Sequence, residues 1–137
     1  MSTWTHVNSA LRLDSMPLKD YTQDILNCVG PTMLWDEIPE NEEEYEEIEK
    51  KCKLPSGSEG SLNYSLWENK EEYSLFSHVL SIFGDLRDYE SKEGIINFFE
   101  TLTKDLKSKD IFIRQGFFMF DIDDTHTHSF VYVDDGT

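Results

Sequence analysis

The chain has 137 residues and a formal net charge of −16, from 28 acidic and 12 basic side chains. A surface of that sign repels nucleic acid, anionic membranes and other copies of itself, which excludes direct nucleic-acid or membrane-surface binding and leaves basic surfaces, cations or sheltered neutral ligands as partners. With 38% hydrophobic and 13% aromatic residues, it is too apolar for a disordered acidic tail, and its length suits one acidic α+β domain over residues 1–137.

From the N-terminus, period-two alternation of Val7, Ser9, Leu11 and Leu13 predicts a strand over residues 3–13. Pro17 suits the start of a helix, and Leu18, Tyr21, Ile25 and Cys28 repeat at helical spacing through residues 18–29. Gly30-Pro31 is a stop signal. Residues 36–53 then form an acidic helical insertion with nine acidic and three basic side chains. Asn41 with Glu44 reads as its N-terminal cap box, and Ile38, Tyr45, Ile48 and Cys52 as its one apolar edge.

Residues 53–60 are rich in turn formers. Leu62, Tyr64 and Leu66 alternate with polar residues in a half-buried strand over 61–68, and 73–83 is a more apolar strand that the chain leaves at Gly84. Ser91 can cap a helix over 92–107, where Ile95, Phe99, Leu102 and Leu106 form one apolar stripe. Residues 111–133 read as two strands around 123–125, with Gly116 marking a bulge or bend. A ferredoxin-like βαββαβ sandwich, with the acidic helical insertion and an extra C-terminal strand, accounts for this order.

The densest chemistry is electrostatic. Between Glu42 and Glu49 six glutamates occupy about 10.5 Å of helix, or one per roughly 1.8 Å, against one charge per about 1.7 Å along duplex DNA. Glu46–Lys50, Glu47–Lys51 and Glu49–Lys53 are i,i+4 pairs that offset part of this charge and suit a simple solvated helix. No lysine follows four residues after Asp36, Glu37, Glu40, Glu42, Glu43 or Glu44. These six are the candidate partner-binding residues, at the end of the helix where acid also suits the dipole.

Other constellations have plainer explanations. Asp121, Asp123, His126 and His128 could hold a divalent metal, but a polar hairpin tip has the same composition, and only His6 or His78 could close the site. The 55–61 loop lacks the endings of a P-loop or dinucleotide turn. Arg87 lies near Asp85 and Asp88 and either orients a substrate carboxylate or pairs locally. His78 and Ser81 lack the surroundings of an activated serine. No catalytic residue, metal or cofactor is expected. Cys28 and Cys52 read as reduced thiols, and an N-terminus without a secretory pattern gives a cytoplasmic expectation.

Three stretches, Trp4–Val7 with Arg12–Asp14, Pro55–Leu62 and Phe83–Tyr89, resemble small phage-encoded accessory proteins, across residues 3–122. The resemblance implies a phage protein acting in the bacterial host cytoplasm, of the kind that blocks defence nucleases (anti-restriction or anti-CRISPR). That group shares no single motif, so it assigns no residue a role. The expected function is therefore a non-catalytic inhibitor whose acidic surface occupies the basic nucleic-acid channel of a host protein. The alternatives are a nucleotide-signal sponge or small-ligand binder, and a metal-dependent hydrolase using the 121–128 residues.

Overall fold

Alternation in the first strand sets the architecture, because that strand becomes the middle of a sheet with one buried face. The computed structural model describes residues 3–15, 21–30, 41–44, 54–55, 57–68, 76–89, 91–122 and 126–133. Its elements are β1 (Trp4–Ser15), α1 (Thr22–Val29), β2 (Asn63–Glu68), β3 (Phe76–Arg87), α2 (Lys92–Ser108), β4 (Phe112–Ile122) and β5 (His126–Val133). The five strands form one sheet in the order β2-β3-β1-β4-β5, and every neighbouring pair is antiparallel. The fold is α+β.

Val7, Leu11 and Leu13 of β1 point inward and are buried, beside Leu80, Ile82 and Leu86 of β3 and Phe118 and Phe120 of β4. Ser9 shares that face. Its hydroxyl donates to the Ile82 carbonyl at 2.8 Å and accepts from the Ile82 N–H at 2.9 Å, so this buried polar group is satisfied on both counts.

Helix α2 covers the inner face. Ile95, Phe99, Leu102 and Leu106 are all buried, as their spacing predicts. The Ser91 hydroxyl caps the helix by accepting from the Gly94 N–H at 3.0 Å. Phe99 lies flat on Phe118, with ring centroids 4.1 Å apart and planes 4° from parallel, and Phe118 stacks in turn on Phe130 at 4.5 Å. Helix α1 contributes Ile25, Cys28 and Val29 to the same core. It ends at Gly30, whose φ of 83° suits a residue without a Cβ. Among the described residues no helix is long and apolar enough to cross a membrane.

Two expectations need correction. Strand β3 does not end at Gly84 but runs on to Arg87, because Gly84 to Arg87 pair with Val7 back to Trp4. Gly84 has a φ of 152°, and a Cβ there would stand 2.8 Å from the Ser61 carbonyl oxygen, so the glycine admits a neighbouring segment. Gly116 is not the bulge. It pairs with Leu11, and the register shift falls where Arg12 and Leu13 face Gln115 and Ile113. A Cβ at 116 would meet Leu11 Cδ2 at 2.6 Å, so this glycine marks close packing onto β1. The acidic insertion over 36–53 lies outside the described residues except for 41–44.

Replacing Phe99 with Ala removes the ring that joins helix to sheet. The expected loss is about 3–5 kcal/mol of unfolding free energy, measured by urea denaturation; an unchanged midpoint would mean that α2 does not carry the core.

Candidate functional site

Of the six candidate acids, Glu42, Glu43 and Glu44 are described and all three are exposed, as is Asn41. The Asn41 side-chain oxygen accepts the Glu44 N–H at 2.8 Å, which is the expected cap. Residues 42–44 are helical, so the cap sets three consecutive glutamates in a first helical turn, where backbone N–H groups favour negative charge. Asp36, Glu37 and Glu40 lie outside the described residues.

A second assembly forms at one end of the sheet, where three segments distant in sequence meet. Ser58 donates its N–H to the Arg87 carbonyl at 2.9 Å, and Arg87 returns its N–H to the Glu59 carbonyl at 3.0 Å. The Gly57 N–H donates to the Gly60 carbonyl at 3.0 Å. These loop donors are therefore spent on the chain itself, which argues against a phosphate cradle. The Arg87 guanidinium reaches Glu59 at 2.5 Å and Asp88 at 3.7 Å, which is the local-pairing reading of that residue. Asp88, at a φ of 55°, donates its N–H to the Thr3 carbonyl at 2.7 Å and accepts the Thr3 N–H on its carboxylate at 3.1 Å. His6 Nδ1 contacts the Asp85 carboxylate, and the His6 backbone N–H points to Asp121 at 3.4 Å.

The sequence holds these pieces far apart, and nothing in local periodicity joins them. The available signal was the pair of glycines at 57 and 60. A Cβ at Gly60 would lie 2.2 Å from the Asp85 carbonyl, and one at Gly57 would lie 2.4 Å from the Arg87 carbonyl, so both positions demand backbone-to-backbone approach.

The other candidates do not come together. Asp121 faces Thr127 in the β4–β5 register, while His126 and His128 oppose Ile122 and Phe120. Alternation therefore puts Asp121 on the opposite face of the sheet from both histidine positions, and Asp123 lies outside the described residues. Among the described residues no group of three or more His, Cys, Asp or Glu side chains is placed to hold a metal. His78 is buried on the inner face, with Nε2 3.0 Å from the Thr22 hydroxyl. Ser81, three residues on in the same strand, is on the outer face, so the two do not form a catalytic pair.

A groove of about 550 Å³ runs beside α2, lined by residues that include Cys28, Pro55, Tyr89, Phe98 and Asp105. Burial pushes the Tyr89 phenol above its ordinary pKa, against a smaller opposing effect of its hydrogen bond with Ser91. Comparison with protein-family models, with curated proteins and with solved structures finds no match for this chain.

Gly60→Ala forces a side chain into the Asp85 carbonyl at a φ of +77°. Detachment of the 57–60 loop from β3 is expected to cost about 1–3 kcal/mol, read as a fall in the urea midpoint; a neutral substitution would mean that the loop does not bind the sheet end tightly.

Proposed function

We propose that this protein is a non-catalytic inhibitor of a bacterial defence nuclease, of the phage-encoded anti-restriction or anti-CRISPR kind. Its acidic surface occupies a basic nucleic-acid channel on a host protein in the host cytoplasm. The observation that supports this reading is the capped helical start at Asn41, which sets Glu42, Glu43 and Glu44 exposed within one helical turn on a chain of net charge −16. Asp36, Glu37 and Glu40, which lie outside the described residues, are assigned to the same partner contact from the sequence. Such a surface competes with phosphate for lysine and arginine, and phosphate contacts dominate nucleic-acid affinity.

The scaffold in this reading is ferredoxin-like. The order β2-β3-β1-β4 with antiparallel neighbours is what a split βαββαβ arrangement would have, and β5 is the added strand beyond β4. A small-ligand binder is the second reading, favoured by the groove beside Tyr89 and Phe98.

The test is a cleavage assay in which restriction endonucleases and CRISPR effectors are titrated with the protein. At least one is expected to be inhibited. The Glu40→Lys, Glu43→Lys, Glu44→Lys triple variant is expected to raise the inhibitory concentration by about a hundredfold or more, because it converts attraction to like-charge contact. Higher salt is expected to weaken inhibition as the Debye length falls to about 8 Å. Full potency in the triple variant would refute the acidic-surface reading.

A further inference from the structure

Among the described residues, α1 and α2 pack against one face of the sheet and leave the other exposed. It exposes Trp67 (57%), Phe83 (41%), Phe117 (41%), Met119 (36%) and Val131 (74%). The register arranges this face in rows. Ser65, Ser81, Ala10, Phe117 and Val131 make one row, and Asn63, Phe83, Asn8, Met119 and Ser129 make the next. Neither row contains an ionisable side chain, in a chain that carries 40 Asp, Glu, Lys and Arg residues in all (28 acidic, 12 basic).

The charges bracket these rows asymmetrically. On one side stands Arg12, its side chain 52% exposed and 3.8 Å from Asp14. On the other side Asp85, His6 and Asp121 lie abreast across β3, β1 and β4. Arg12 and His6 are equally far along β1 from Ser9. A two-fold axis lying across the strands at that midpoint would therefore set Arg12 of each copy against the Asp85–His6–Asp121 row of the other. The same rotation lays the two uncharged rows on each other, with Phe117 over Met119.

We propose that the outer sheet face docks a second copy of this chain in this two-fold arrangement. A two-fold interface must be self-complementary, and this face is so in both charge and polarity. Its size also suits a stable dimer. At about 3.3 Å per residue and about 4.8 Å between strands, the strand stretches that this rotation overlays present about 650 Å² per copy, in the lower part of the standard range for one partner. Aligned sheets pack face to face at about −30°. General repulsion between chains of net charge −16 does not forbid it, because the contact surface is where charge is missing or complementary.

Sedimentation equilibrium of the full chain tests the arrangement. The wild type is expected to be a dimer. Met119→Glu, at an exposed position outside the core, is expected to weaken self-association about tenfold or more. Arg12→Glu and Asp85→Lys are each expected to do the same alone, and an equimolar mixture of those two chains is expected to restore a dimer containing one of each. A fold defect in either chain would not produce that mutual rescue. A wild type monomeric up to its solubility limit would overturn the proposal and leave the face to another partner. A dimer indifferent to Met119→Glu, or a mixture that shows no rescue, would also overturn it.

Discussion

Strand β1 is the constraint on which the rest depends. It is paired along both edges, to β3 and to β4, so its alternation decides the two faces of the whole sheet. Val7, Leu11 and Leu13 commit one face to the core, and antiparallel pairing carries that choice across all five strands. The stacked rings of Phe99 and Phe118 then fix α2 to this face. A single slip of β1 would invert every side chain, bringing Asn8 and Arg12 to the core in place of Leu11 and Leu13. Ser9 opposes such a slip, since its hydroxyl is bonded to both backbone groups of Ile82.

The same alternation sorts the surface. Rows on the outer face without ionisable groups lie between a cationic and an acidic end, and the capped glutamates at 42–44 stand exposed elsewhere in the chain. The proposed acidic contact and the proposed self-association face therefore use different residues of the chain. Two copies would present two acidic segments together, and linked sites bind more tightly than separate ones when geometry allows both to engage.

Local patterns carried most of the elements. The stripe Ile95, Phe99, Leu102, Leu106 and the caps at Ser91 and Asn41 depend only on neighbours within a turn or two, and the structure has them as read. Strand ends and long-range meetings were not legible in that way. Gly84 looks like a break in sequence, yet pairing with β1 holds it inside β3. Asp121 and His128 look like neighbours across a turn, yet the β4–β5 register places them on opposite faces. The Thr3, 57–60 and 84–88 assembly needs sheet register before it exists at all. Half of the candidate acidic site, Glu42 to Glu44, stands where its cap implied, and Asp36, Glu37 and Glu40 lie outside the described residues.

Amide hydrogen exchange on the chain, alone and mixed with the nuclease that the cleavage assay singles out, tests the proposed acidic contact most directly. If the acidic helix start engages the nuclease channel, protection rises across residues 36–44 on binding, while the strands keep the exchange rates of the unbound chain. Protection that rises around the α2 groove, at Tyr89 and Asn97 to Thr101, with residues 36–44 unchanged, would contradict it.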